Sequence, residues 1–284
     1  MNLLSRLLLI AATLAATPAI ADPSAQQLAA AKEAELRGAE IYAYDQAAWH
    51  STDRFQIDLK KAKLTVDQAF DQGVRGYVVE PAEKGLLLVT YYGQKEDRTW
   101  AFARYWMAGS SVRRGGLVKP GEDAALSPLA LKLVDLRGKG LAAAGETKSF
   151  YCGKGTPNTV VLPPRSDGTY PVYVMSAATQ AGRFPAGGHS RFDFDGAGKL
   201  VAHRAFTKGC IDVETAAVPK GAEGFGVSHA LDPQPTEIHV FVSYNVPIKL
   251  FVIIEPGNDL WQIDRGKVVF KQVMPGGAAG QPGN

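Results

Sequence analysis

Four of the five histidines of this chain lie between residues 189 and 239, among several carboxylates. Imidazole and carboxylate groups bind zinc or transfer protons in many enzymes. The candidate catalytic set consists of His189, His203, Glu237 and His239, with His229 or Asp232 as a further member. No H-x-H or HExxH spacing enforces a metal geometry, so zinc is not the favoured interpretation. The alternative is a solvated sheet face with cross-strand ion pairs.

A hairpin at residues 191–206 is expected to position half of this set. Alternating apolar residues predict two strands around a Gly-Ala-Gly loop at 196–198. With that three-residue loop, Arg191 pairs with His203, and one face of the hairpin is apolar while the other is polar. The polar face carries His189, Arg191, Asp193 and His203. Arg191 and Asp193 are therefore candidate binding residues.

The other half of the set falls in a predicted strand at residues 237–244. Ile, Val and Val alternate there with Glu, His and Phe. A period of two places Glu237 and His239 on the same side of the strand. If this strand meets the hairpin, the imidazoles and Glu237 form one site.

The surrounding elements predict an α+β fold with antiparallel sheets built from hairpins, an N-terminal helix and a central helix. Helices are expected at 24–49, 65–72 and 127–144, and Ser127 followed by proline is typical of a helix start. Runs of β-branched and aromatic residues predict further strands at 76–80, 86–92, 99–107, 159–162, 172–176, 248–255, 260–263 and 267–273.

Domain organisation is expected to be simple. Residues 22–274 are predicted to form a single domain, with 22–115 and 127–274 as candidate lobes. Residues 275–284 are rich in Gly, Pro and Ala, have nothing to bury, and are predicted to be disordered.

Residues 1–21 have the composition of a secretory signal peptide. A start containing Arg6 precedes an apolar stretch, and Ala19-Ile20-Ala21 provides small residues just before Asp22. Cleavage there predicts a soluble protein of the periplasm or the exterior, because no later apolar run is long enough to span a membrane. The formal net charge is +3, and loss of Arg6 leaves a value near zero, which argues against a nucleic-acid partner.

The chain contains two cysteines, Cys152 and Cys210. An even pair in an exported protein favours a disulfide, which would close a loop of about 60 residues and stabilise the fold by about 4 kcal/mol. Free thiols, a redox pair or two metal ligands are the alternatives, although redox pairs are usually close in sequence.

Three segments carry a resemblance to a known group: IYAYDQAAW at 41–49, GGHSR at 187–191 and PTEIHVFVS at 235–243. They are similar to segments of a group of exported proteobacterial proteins of unknown function. The similarity covers most of the chain after residue 21. It supports export and implies no activity, fold or catalytic residue.

These observations favour a non-catalytic binding or envelope-associated module with an unknown protein or small-molecule ligand. A hydrolase that uses the His/Glu set, with or without a metal, is the alternative. A third hypothesis, an inhibitor or immunity-type module, rests on the aromatic hairpin at 86–107.

Overall fold

A computed structural model describes residues 22–149, 151–153, 155–216, 218, 221–257 and 259–273 of the chain. The predicted signal peptide at 1–21 and the predicted disordered tail at 275–284 lie outside these residues. Within them the α-helices are α1 (Ala25–Lys61), α2 (Val66–Asp71), α3 (Pro128–Glu146) and α4 (Glu237–Asn245). They combine with mostly antiparallel sheets, which confirms the α+β class.

Helix α1 is the longest of the described elements and contacts both α2 and α4. A capping box between Ser24 and Gln27 starts it, as the composition predicts. The helix continues twelve residues beyond the expected end at 49 and stops at Lys61. Ser51 and Thr52 do not interrupt it, because their hydroxyls donate to the carbonyl of Ala48 one turn earlier.

The first sheet is an antiparallel meander packed on α1. Its strands are β1 (Val74–Pro81), β2 (Leu87–Lys95), β3 (Arg98–Ala108) and β4 (Ser111–Leu117). Strand β4 was not expected, because its Gly115-Gly116 pair resembles a loop. Gly115 lies against the backbone of Arg104 with φ +130°, a position where a side chain would overlap β3.

The second sheet carries the predicted hairpin. Its order is β5 (Asn158–Val161), β6 (Tyr170–Met175), β8 (Ser190–Phe194) and β9 (Leu200–Ala205), all antiparallel. Helix α3 covers one face, and Gly140 lets it approach Val172 closely.

The third sheet contains β11 (Gly224–His229), β12 (Lys249–Ile254), β13 (Asp259–Asp264) and β14 (Lys267–Val273). Strands β11 and β12 are parallel, and α4 forms the connection between them. A helical crossover of this kind is the usual way to join parallel neighbours.

The prediction of a strand at 237–244 is therefore wrong, since these residues lie in α4. Every residue from Glu237 to Ser243 is buried, on all sides of the helix. Gly38 of α1 lets the two helices meet, because a Cβ at Gly38 would lie 2.5 Å from that of Val240. A helix that is buried on all sides has no alternation of apolar and polar faces at the helical period. The β-branched residues of this segment therefore gave it the composition of a strand.

The cysteines form the expected disulfide. Cys152 and Cys210 are bonded, with their Cα atoms 5.4 Å apart. The bond joins the segment before β5 to the segment before β10 (Asp212–Glu214), which pairs with β7 (Arg183–Pro185). The larger hydrophobic core extends from Ala31 on α1 to Ile263 on β13 and draws on both candidate lobes. Among the described residues, none of the helices is both long and apolar enough to cross a membrane.

Candidate functional site

The register of the β8–β9 hairpin decides which side chains share its polar face. A bulge between Asp193 and Phe194 adds one residue to β9, so Arg191 lies opposite Arg204 rather than His203. His203 instead faces Phe192, with the two rings stacked at 4.5 Å. The prediction that His203 shares a face with Arg191 and Asp193 is therefore wrong. His203 lies near Ser149, at the far side of the sheet.

Arg191 and Arg204 belong to a polar row that crosses three strands. Tyr173 on β6 is opposite Arg191 on β8, which is opposite Arg204 on β9. Arg191 and Arg204 of this row line a cleft whose other walls come from α1, from the start of α4 and from the segments that contain Arg165 and Asp232. We call it the arginine cleft. Its lining residues are Ala30, Glu33, Ala34, Arg37, Arg165, Arg191, Arg204, Asp232, Gln234, Pro235, Thr236 and Glu237, around a volume of about 210 Å³.

Carboxylates hold the arginines of the cleft in place. Arg191 donates to Glu237 at 2.6 Å and to Asp193 at 3.0 Å, while Arg165 donates to the other oxygen of Asp193 at 3.1 Å. Tyr173 also donates to Glu237, at 3.2 Å. The predicted binding residues Arg191 and Asp193 and the predicted catalytic residue Glu237 therefore belong to one hydrogen-bonded network. It is largely shielded from solvent, since the side chain of Arg191 is 19% exposed and that of Glu237 is 9% exposed.

A second ion pair lies at the other end of the row. Arg204 donates to Asp232 at 2.6 Å, and the same oxygen lies 2.9 Å from Nε2 of His229. The Arg204 guanidinium is also stacked over the ring of Phe206, 4.5 Å from its centre. These contacts fix the guanidinium on the sheet face and leave part of it open to the cleft.

Protonation states in the network follow from these contacts. Burial by itself lowers the pKa of Arg191, but the nearby Glu237 and Asp193 outweigh it and raise the pKa above its usual value. Burial favours a higher pKa for Asp232, yet the hydrogen bonds from His229 and Arg204 lower it. Burial and the charge of Glu237 raise the pKa of Tyr173. The arginines and carboxylates of the site therefore form ion pairs that stabilise one another's charged forms.

His239 supports the start of α4 rather than the cleft. Its Nδ1 accepts a hydrogen bond from the backbone N–H of Thr236 at 3.0 Å, in the place that Glu or Gln occupies in a capping box. Its ring meets that of His229 edge-on, with centres 4.7 Å apart. Burial, and to a smaller extent His229, lowers the pKa of His239 to about 3. A neutral imidazole is what this acceptor role requires.

His189 is also a structural residue. Its ring lies between the backbone N–H of Ser176, from which Nδ1 accepts at 3.3 Å, and the carbonyl of Pro185, to which Nε2 donates at 3.1 Å. Burial lowers its pKa to about 4. In the ranges that the structure describes, His, Cys, Asp and Glu form no group of three or more that is placed to hold a metal ion.

Three arginines of the cleft were missed by the sequence reasoning. The bulge in the hairpin, which the alternation of residues does not reveal, places Arg204 on the polar face in the position predicted for His203. Arg37 comes from a helix and Arg165 from a loop, and neither forms a local pattern with the hairpin. The sequence contained a signal for Arg204 alone: it is the neighbour of His203, and a shift of one residue in the register of the hairpin brings it opposite Arg191.

Comparison with protein-family models, curated proteins and solved structures finds no match. The resemblance of three segments to exported proteobacterial proteins thus stays a prediction.

Proposed function

We propose that this chain is an exported, non-catalytic binding protein whose arginine cleft holds the carboxylate or phosphate group of a small ligand. The observation that carries the proposal is the pairing of Arg191 with Arg204 across two strands, beside Arg37 and Arg165 on the same cleft. Like charges directly opposite one another in a sheet are destabilising. A protein that keeps such a pair at a cleft gains an arrangement suited to carboxylate or phosphate recognition.

The guanidinium groups have many donors to offer a ligand. Together the four arginines carry about twenty N–H groups. Within the described residues, hydrogen bonds to carboxylates engage five of them. The nine-residue helix α4 also directs its N-terminal end toward the cleft through Thr236 and Glu237. Its dipole adds to the attraction for an anion.

Export is the second part of the proposal. The signal-like residues 1–21 support it, and so does the disulfide, because such bonds persist in oxidising compartments. N-terminal sequencing of the protein recovered from the periplasm or medium is expected to begin at Asp22. Retention of residues 1–21 in a cytoplasmic fraction would contradict export.

Ligand binding is tested by calorimetry at low ionic strength with acetate, succinate and inorganic phosphate as probes. We expect saturable binding of at least one probe, weakened roughly tenfold or more by Arg204→Gln, since a charge-assisted hydrogen bond contributes about 1.5–3 kcal/mol. Arg37→Gln provides a second variant whose ion pair with Glu40 lies outside the Glu237 network. Arg114→Gln is the matched control, because Arg114 on β4 is exposed, pairs with Glu83 in the β1–β2 connection and does not line the cleft.

Two results would overturn the binding proposal. One is the absence of saturable binding to any of these probes or to any free amino acid. The other is an affinity that Arg114→Gln lowers as much as Arg204→Gln and Arg37→Gln do, which would indicate a non-specific effect of net charge.

A further inference from the structure

The charges that line the arginine cleft nearly cancel. Arg37 pairs with Glu40, Arg165 with Asp193, Arg191 with Glu237, and Arg204 with Asp232. A site selective for a multiply charged anion is expected to have a large excess of positive charge. This cleft has charge-assisted donors without that excess, so it favours a ligand whose own charges are balanced.

Glu33 adds a further carboxylate to the lining of the cleft. It lies on α1 one turn before Arg37, is exposed, and forms no ion pair with any residue that the structure describes. Arg37 lies four residues further along α1, yet it pairs with Glu40 at 2.8 Å. The cleft wall formed by α1 thus adds a carboxylate to the same lining as the guanidinium groups of the sheet.

The size and the remaining walls of the cleft limit the ligand. Ala30, Ala34 and Pro235 provide small apolar surfaces between the charged groups. The volume of about 210 Å³ is below the range of about 300–1,000 Å³ that is typical of sites for drug-sized molecules. The cleft therefore suits a molecule of amino-acid size rather than a nucleotide.

We propose that the ligand is a zwitterion of amino-acid size, whose carboxylate is bound by Arg191 and Arg204 and whose ammonium group is bound by Glu33. This inference rests on the proposed function, since it names the ligand class of the same cleft. The carboxylate end takes guanidinium donors that the protein leaves unused, and the ammonium end neutralises the carboxylate of Glu33 on α1. Both ends of the ligand then have charged partners in the lining of one cleft.

The test compares free and blocked amino acids on the intact protein. Each of the twenty L-amino acids is screened singly by thermal shift, and binders are measured by calorimetry. The N-acetyl derivative of each binder keeps the carboxylate and loses the ammonium charge, and glycylglycine serves as a probe in which the two charges lie further apart. We expect at least one free amino acid to bind more tightly than its N-acetyl derivative.

Glu33→Gln assigns the ammonium contact. The substitution should weaken binding of the free amino acid roughly fivefold, which is the upper range for an exposed ion pair, and leave the affinity for the N-acetyl derivative unchanged. Glu83→Gln is the control, since Glu83 is an exposed carboxylate that is not among the residues lining the cleft. Glu33 is exposed, so its replacement is not expected to impair folding.

Each outcome separates the two proposals. If N-acetyl derivatives or simple carboxylates bind as tightly as free amino acids and Glu33→Gln has no effect, the zwitterion inference is wrong and the anion site stands. Tighter binding of glycylglycine than of any free amino acid would overturn the amino-acid size. If neither amino acids nor the simple anions bind, the proposed function itself fails.

Discussion

Acid pH should destabilise this protein through two buried imidazoles before its carboxylates titrate. Burial holds the pKa of His189 at about 4 and that of His239 at about 3. In the unfolded chain both return to about 6.5. When the pKa of a basic group is lower in the folded state than in the unfolded state, the protein has its full stability at pH values above the unfolded-state pKa. That stability is lost as the pH falls from about 6.5, because unfolding then takes up protons.

The magnitude follows from these two pKa values. Each neutral buried imidazole makes unfolding more favourable by about 1.4 kcal/mol for every pH unit below 6.5, until its folded-state pKa is reached. Between pH 7 and pH 5 the two groups together should remove about 4 kcal/mol from the free energy of unfolding. That is a large part of the 5–15 kcal/mol typical of a folded domain. Most carboxylates titrate below this range, so the imidazoles dominate it.

The assay is urea unfolding of the wild type and of His239→Asn at intervals from pH 5 to pH 8. The Asn side chain keeps an acceptor for the N–H of Thr236 and removes the titrating ring. The variant will be less stable at every pH because it leaves a cavity. Its loss of stability between pH 7 and pH 5 should nevertheless be about 2 kcal/mol smaller than that of the wild type.

Parallel pH curves for the two proteins would refute this reasoning. They would mean that His239 takes up a proton as easily in the folded as in the unfolded chain, which its acceptor role excludes. The offset between the two curves that the cavity causes should be constant above pH 7.5, because the imidazole is then neutral in both states, and an offset that changes with pH there would also contradict the reasoning.

Three further changes test the fold itself. Replacing both Cys152 and Cys210 by Ser should lower the free energy of unfolding, measured by urea denaturation, by about 4 kcal/mol, because the disulfide restricts the unfolded chain. An unchanged midpoint of urea unfolding would contradict this stabilisation. Burial raises the pKa of Asp45, so its ionisation destabilises the folded state as the pH rises; Asp45→Asn should therefore raise the melting temperature more at pH 8 than at pH 4. Gly38→Ala should lower the free energy of unfolding by about 1–3 kcal/mol, because the added methyl group overpacks α1 against α4. Gly138→Ala, on the open face of α3, is the control and should raise it by up to about 1 kcal/mol. Equal effects of the two substitutions in thermal melts would contradict the close approach of α1 to α4.

Features that depend on neighbours in the chain were predictable from the sequence. The cap at Ser127, the turn of the hairpin at 196–198 and the β2–β3 hairpin depend on residues within a few positions of one another, and the structure has all of them. The disulfide was also predictable, because the chain offers only one pair of cysteines. The α+β class follows from these local elements.

The candidate site depended on tertiary structure. Residues 237–245 have strand-like composition, and they form a helix because α1 and the third sheet bury them on every side. One additional residue in β9 replaced His203 by Arg204 on the polar face, a change that alternation alone cannot reveal.

The sequence by itself thus determined most of the local elements, the disulfide and the expectation of export. Tertiary packing alone brought Arg37, Arg165, Arg191 and Arg204 to one cleft, from a helix, a loop and two strands. The physical reason is the range of the interactions. Caps and turns are satisfied within a few residues, whereas a binding cleft is formed by groups distant in sequence whose positions are set by the packing of whole elements.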